Sequence, residues 1–457
     1  MAGKINTSPA RGTRDLLPDE CALRDAAANV ILRTYRSFGF QRIETPALER
    51  IELLAGSQGG ENEKLIYKIL KRGEKLEDEI KHLIERERHK RVIDVTDKVK
   101  LPPDKKRLAI AARDMLADDL IDLGLRYDLT VPLARYYANN LGALPTPFKA
   151  IQIGPVWRAE RPQKGRYRQF TQCDVDVLGE PGESAEIESI LATAASLSAL
   201  GLSGFTVSLN DRGILAALAN HLKIEPAQQT AVFIALDKLD KIGTDGVLKE
   251  LDAAGVSGEA RAAFAELLEA GQDQGALASL AARVGAGDEH ERLGRISAAV
   301  SAALSADDKI VGVPSLVRGM GYYTGTIFEI QVADLPFSLA GGGRYDKMIG
   351  QLIGRDVPAC GFSIGFERLM MVLADRGWSP VGGAKRLALL HGESGPGLAR
   401  VMRVAATLRG KGDEVSVLSQ RKKLGKQLDD LEKQGFDGAA MLPAEGDEPE
   451  HKWFRTS

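Results

Sequence analysis

Arg158, Arg161, Lys164, Arg166 and Arg168 crowd into residues 158–168, with Glu160 the one acidic residue among them. Guanidinium forks hold phosphate through paired hydrogen bonds, so this cluster is chemistry for a polyanion. The alternative is a solvated surface loop, although such loops usually mix their charges. Strand-like runs flank the segment, Ala150–Trp157 before it and Phe170–Leu178 after it, and Pro162 and Gly165 lie inside it. Two β-runs around a polar segment of this kind predict an antiparallel hairpin with a long loop. On the second strand Gln172, Asp174 and Asp176 alternate onto one face, while Cys173, Val175 and Val177 take the other. A buried face with an amide and two carboxylates is costly unless it binds something polar. Arginines at one end and carboxylates at the other suit a ligand with phosphate on one side and a cation on the other. An amino acid being joined to a nucleotide fits that description.

Four further stretches could complete such a site. Arg126, Asp128 and Thr130 alternate along a predicted strand, Leu125–Pro132, with Pro132 placed to begin a helix. One polar strand face is ordinarily solvated; paired with that of Asp174 and Asp176 it reads as the second wall of a pocket. Arg318 lies in a glycine-bearing loop before a strand, within LVRGMGYYTGTIFE (residues 316–329), where glycine permits close backbone approach to a ligand. Gly341, Gly342 and Gly343 read as a sheet floor under a flat ligand, or as a plain turn. Residues 359–369 read as strand, glycine and helix, with Arg368 in the first helical turn, where the helix N-terminus also favours phosphate.

The elements that must position these residues follow the chain. A helix is expected over 21–37, ended at Gly39, then a strand over 40–49 broken at Pro46. Residues 62–70 read as a strand whose return is Leu125–Pro132, with a charged, partly helical excursion over 71–124. A helix to about Leu200 and a strand over 205–210 precede residues 212–307, an Ala- and Leu-rich stretch of amphipathic helices punctuated by Gly243, Gly255, Gly271 and Gly285. Past a linker at 375–385, strands at 386–391, 414–418 and 439–442 alternate with helices at 397–409 and 423–434, a small parallel α/β unit.

With 457 residues, 44% hydrophobic and 27% charged, the chain is an ordinary globular composition of two or three domains. A net charge of −2 advertises no global attraction to nucleic acid, which leaves a local basic patch as the route to it. Three scattered cysteines, Cys21, Cys173 and Cys360, argue against a disulfide framework, and no apolar run reaches membrane-spanning length. A reducing cytoplasm is the expected compartment. His221 and His290 are isolated, and no histidine accompanies the carboxylates, so no tightly bound protein metal is expected. An RNA-binding module without catalysis would need aromatic and basic strips, against an aromatic content of 5%.

The hairpin resembles motif 2 of class II aminoacyl-tRNA synthetases, and in its wording the histidyl-tRNA synthetase family; the 316–329 phrase is similar to that family's signature. Residues 21–49 resemble motif 1, through which class II synthetases dimerise, and residues 359–369 resemble motif 3. The resemblance implies an α+β fold: an antiparallel six-stranded sheet with flanking helices, a helical insertion and a C-terminal α/β anticodon-binding-like domain. The implied division is a catalytic core at 1–211 and 308–375, the insertion at 212–307, and the C-terminal domain at 386–457, possibly shortened. The family joins the 62–70 and 125–132 elements by a short link where this chain has 71–124, and it carries an acidic residue where this chain has Gly321.

The implied reaction is ATP-dependent activation of L-histidine to histidyl-adenylate and transfer to the 3′ end of histidine tRNA, with Mg²⁺ accompanying ATP and a homodimer as the assembly. Carried over residue by residue, Arg158 and Arg318 are catalytic, and Arg158, Glu160, Arg166 and Arg368 bind ATP. Asp128, Thr130, Gln172, Asp176, Arg318, Tyr323 and Tyr345 bind histidine; Gln163, Lys164, Arg168, Lys423 and Lys426 meet tRNA. The rival is a catalytically inactive histidine-sensing paralogue that regulates ATP phosphoribosyltransferase, which typically lacks the C-terminal domain and the Arg318 phrase.

Overall fold

The computed structural model describes residues 6–56, 64–82, 119–162, 167–269, 274–318, 322–335, 337–379, 385–392, 397–443 and 448–454. Two compact units divide the chain, Met1–Asp15 with Ala27–Arg376, and Leu16–Ala26 with Gly377–Ser457. Gln163, Lys164, Arg166, Gly271, Gly321 and most of the 71–124 excursion lie outside the described residues.

The first unit is built on a sheet in which β5 (Phe148–Trp157), β6 (Gln169–Leu178), β11 (Ala359–Ile364), β10 (Ser338–Arg344), β9 (Thr326–Val332) and β7 (Phe205–Asp211) are neighbours in that order. These six are antiparallel throughout, as expected. Two short edge strands extend the expected six. β1 (Gln41–Arg42) adds to the β5 edge and β8 (Lys309–Gly312) to the β7 edge, both parallel, giving eight strands.

β6 explains why the sheet can be both core and site. Cys173, Val175 and Val177 are at most 1% exposed on one face, which leaves the other face to the polar residues. Helix α4 (Ser184–Ala199) lies against the sheet, in contact with β6, β10 and β11. Its buried serines and threonine satisfy their own hydroxyls on backbone carbonyls four residues back, Ser189 on Ala185, Thr193 on Ser189 and Ser196 on Ala192, so a polar helix face can be buried. α1 (Pro18–Ser37) buries Ala27, Ile31 and Tyr35 at a spacing of four, and Gly39, at φ 83°, closes it. The 212–307 stretch is helical as expected: α5 (Arg212–His221), α6 (Pro226–Asp237), α7 (Leu239–Ala253), α8 (Gly258–Glu269), α9 (Gln274–Val284) and α10 (Gly287–Ser301).

A small sheet joins β2 (Leu48–Arg50), β4 (Ile121–Leu125) and β3 (Tyr67–Leu70). It corrects the reading of Leu125–Pro132 as a strand. β4 ends at Leu125, Asp128 accepts the Val131 amide at 3.0 Å, and helix α3 (Thr130–Asn140) begins where the strand was expected to continue. The side-chain bond to a backbone donor offers the chain a helical start at the residue expected to lie mid-strand.

In the second unit β12 (Arg386–His391) pairs in parallel with β13 (Glu414–Ser419) and β14 (Gly438–Met441). Leu387 and Leu389 pack against α13 (Leu398–Gly410) and Ala388 and Leu390 against α14 (Leu424–Lys433), the two-faced burial of a parallel sheet. β15 (Glu450–Trp453) extends this sheet antiparallel to β14, an element absent from the sequence reading. Lys423 and Lys426 are exposed at the start of α14.

Candidate active site

The polar face of the first unit's sheet borders a cavity of about 540 Å³. Arg158, Glu160, Arg368, Asp128, Thr130, Gln172, Asp176, Arg318, Tyr323 and Tyr345, expected from five separate stretches of sequence, all line it. Arg126, read as part of a pocket wall, does not. Its guanidinium donates to the backbone carbonyls of Thr45 (2.6 Å) and Pro155 (3.0 Å), pinning the chain behind the site, and passes over Gly154, whose missing Cβ leaves it room.

The carboxylate side is built by β6 and β11. Tyr345, buried against the core beside Tyr322, donates its hydroxyl to Asp176 Oδ1 at 2.5 Å. Among the described residues, Asp176 Oδ2 and Gln172 Oε1 are buried acceptors without a donor. Such atoms each cost on the order of 1–3 kcal/mol unless a ligand supplies the hydrogen bond. Burial raises the Asp176 carboxyl to about 7, against the hydrogen bond from Tyr345, and burial with the charge of Asp176 raises Asp174 to about 8. Ser363 donates to Asp174 Oδ1 at 2.5 Å.

The guanidinium side is built by the hairpin, the segment before β9, and α12 (Phe366–Asp375). Arg158 donates through Nε to Tyr127 O at 2.9 Å and lies 5.1 Å over the Phe170 ring, which fixes its plane. Arg318 donates through Nε to Glu329 Oε2 at 2.6 Å and through Nη2 to Ser338 Oγ at 2.5 Å. Burial opposes its charge, but the Glu329 carboxylate outweighs burial and its pKa is raised. Arg368, in the first turn of α12, donates to Ser338 O at 3.1 Å and lies 5.2 Å over Phe337.

The glycine run is a strand rather than a turn, and its use differs from the expected floor for a ligand. Only Gly341 of the three borders the cavity, and a Cβ there would meet Arg318 Nη1 at 2.7 Å. A Cβ on Gly361 would sit 2.1 Å from Asp176 Oδ1. The glycine gaps are filled by the protein's own charged side chains, which lie flat on the strands.

Arg168, expected to meet tRNA, donates to Glu160 O at 3.1 Å and Arg11 O at 3.3 Å and does not line the cavity. Sequence reasoning omitted Glu329 and Ser338, which hold Arg318, and Ser363, which holds Asp174; Glu329 stood in the quoted phrase and could have been found there. It also omitted Asp237, delivered to the cavity by α6, for which no local signal exists. Among the described residues, no group of three or more His, Cys, Asp or Glu is placed to hold a metal ion, and no helix is long and apolar enough to cross a membrane.

Comparison with known proteins gives the family. The family model described as histidyl-tRNA synthetase matches residues 105–369. The histidine–tRNA ligase of Leifsonia xyli is 41% identical over 452 residues, 97% of each chain. That of Aeropyrum pernix is 39% identical over 79% of this chain and 73% of its own. The crystal structure of histidyl-tRNA synthetase from Nostoc sp. PCC 7120 superposes with a TM-score of 0.71 at 26% identity, covering 96% of this chain and 92% of that one. A Bacillus halodurans structure titled as an ATP phosphoribosyltransferase regulatory subunit/histidyl-tRNA synthetase shares the fold, at TM-score 0.68 and 19% identity, over 93% and 97% of the two chains. The matched family segment carries Arg158, Arg318 and Arg368 into one cavity, and with a relative 41% identical along nearly its whole length, this chain belongs to the histidyl-tRNA synthetase family.

Proposed function

We propose that the protein is a histidine–tRNA ligase, activating L-histidine with Mg²⁺-ATP to histidyl-adenylate and transferring histidine to the 3′ end of histidine tRNA. The observation that carries this reading is one cavity holding two buried acceptors without a partner among the described residues, Gln172 Oε1 and Asp176 Oδ2, together with Arg158, Arg318 and Arg368. The acceptors suit a ligand rich in N–H donors, and the guanidiniums suit phosphate. In the first step the histidine carboxylate attacks the α-phosphate and pyrophosphate leaves. A carboxylate nucleophile needs no base, so the requirement is cations fixed where charge builds, the role of Arg158 and Arg318. Arg368 holds the γ-phosphate end and Glu160 the adenine side.

Asp128, Thr130 and Gln172 take the α-ammonium, while Asp176, Tyr323 and Tyr345 read the imidazole. Buried groups aimed at ring N–H reject isosteres that lack them. Gln163, Lys164, Arg168, Lys423 and Lys426 are the proposed tRNA contacts, with Arg166 a further contact to ATP. A homodimer and a cytoplasmic location complete the proposal. The regulatory-subunit alternative shares the fold, but curated relatives at up to 41% identity are named as ligases. ATP–pyrophosphate exchange with each of the twenty amino acids is the test. Exchange with histidine alone, lost in Arg318→Ala, is expected; histidine binding without exchange would establish the sensing alternative.

A further inference from the structure

Asp174 is the buried carboxylate in the cavity to which no role has been given. It is 4% exposed and stands between Gln172 and Asp176 on β6. Cross-strand pairing sets it in a row with Ser363 on β11, Gly341 on β10 and Glu329 on β9. Directly opposed residues share a face of the sheet, so this row runs from Asp174 to the glutamate that holds Arg318. Asp128 closes the same side of the cavity.

Resting on the histidine-ligase reading, we propose that Asp174 is a further specificity-determining residue, protonated beside Ser363 in the ligand-free protein and ionised when the α-ammonium of histidine arrives next to it. The step balances as a substitution of one cation by another. The carboxyl O–H bond of Asp174 breaks, its proton passes to solvent, and the ammonium already carried by histidine takes the place of that proton beside the carboxylate.

The groups facing Asp174 leave little else to neutralise it. Asp176 from its own strand and Asp128 from before α3 both disfavour its charge, and Arg158 at the hairpin end favours it. Burial pushes up the ionisation of Tyr322, on the loop before β9, and of Tyr35 and Cys173, on the core side, and the Asp174 charge adds to each. Three carboxylates around one side of a cavity cannot all ionise at little cost, and burial with the Asp176 charge accordingly raises Asp174 to about 8. Uptake of a cation would reverse that balance. A neutral amino acid analogue without the ammonium gains nothing from the exchange, which makes the site selective for the zwitterion.

The test is titration calorimetry of L-histidine into the full chain at pH 7.5, in buffers of different ionisation enthalpy, which counts protons released per histidine bound. The wild type should release about one proton more than Asp174→Asn. The difference between the two isolates Asp174 from the titration of the imidazole itself. Ser363→Ala removes a hydrogen bond that lowers the Asp174 pKa, so at pH 8.5 it should release more protons than the wild type. Equal proton counts in wild type and Asp174→Asn, or no gain in Ser363→Ala, overturn the proposal while leaving the ligase reading intact. Failure of the wild type to bind histidine at all overturns both.

Discussion

Removing Glu329 should slow amino-acid activation entirely through Arg318, and the structure sets the size of the effect. Arg318 Nε donates to Glu329 Oε2 at 2.6 Å, Nη2 lies 2.5 Å from the same oxygen, and the two side chains are 33% and 17% exposed. A charge-assisted hydrogen bond in such a setting is worth about 1.5–3 kcal/mol. Ser338 still accepts from Nη2, so Glu329→Ala misplaces the guanidinium rather than deleting it. The ceiling is therefore loss of Arg318 itself, about 10²- to 10³-fold for a donor fixed at developing charge. At about 1.4 kcal/mol per decade, Glu329→Ala should lower kcat for pyrophosphate exchange about 10- to 100-fold, with KM for histidine and ATP moving much less. Glu329→Gln keeps an acceptor for Nε and should lose about tenfold or less.

The decisive measurement is the double mutant. If Glu329 acts only by holding Arg318, adding Glu329→Ala to Arg318→Ala costs nothing further, a full coupling of the two changes. An equal loss in both backgrounds would refute the reasoning. So would a Glu329→Ala enzyme with wild-type kcat.

Gly361→Ala should drive the Asp176 carboxylate out of place, since the new Cβ would sit 2.1 Å from Oδ1. Histidine affinity should fall about 5- to 150-fold with ATP affinity retained, read by calorimetry of each ligand separately. Glu186→Gln should lower the melting temperature of the first unit. The fully buried carboxylate holds Arg344 through two bonds, at 2.7 and 2.6 Å, and breaking a buried pair costs about 3–5 kcal/mol. Asp174, raised to about 8, and Asp176, raised to about 7, keep protons that an unfolded chain gives up near pH 4. The native state binds more protons than the unfolded across that window. Stability of the ligand-free protein should therefore fall as pH rises from about 4 to about 8, by about 1.4 kcal/mol per pH unit for each unmatched proton. Thermal melts of Asp174→Asn across the range should show a shallower decline; an unchanged slope would assign the effect elsewhere.

Most of the site was legible because its strands have one apolar and one polar face. On β6, the alternation of Cys173, Val175 and Val177 with Gln172, Asp174 and Asp176 carries both the fold and the chemistry in one period of two. Thr130 was assigned to a strand because Leu125–Pro132 is apolar-alternating and proline-terminated, a pattern a strand and a capped helix start share. The bond from the Val131 amide to Asp128 decides between them, and no periodicity contains it. β15 was invisible for the opposite reason: all four of its residues are exposed, so no apolar face marks it as an edge strand. Asp237 reaches the cavity from the end of α6, and only the packing of the helical stretch brings it there.

The glycines show how this site gains rigidity without a long list of supporting contacts. A charged side chain on a loop keeps several rotamers, and ordering it for catalysis costs entropy at each turnover. Here Arg318 lies across Gly341 and the Asp176 carboxylate against Gly361, each closer to a strand than any residue with a Cβ would allow. The backbones of β10 and β11 are paired on both sides within the sheet, so neither surface can recede. One flank of each charge is thereby a fixed wall, and Glu329 and Tyr345 need only close the other. Charges held in this way are already oriented before substrate enters, the condition under which electrostatic stabilisation lowers a barrier rather than merely tightening binding. It follows that alanine at Gly341 should damage turnover more than ATP affinity, because it lifts Arg318 off its wall without removing its charge. An enzyme whose ATP affinity collapsed with kcat preserved would mean that Arg318 serves binding alone.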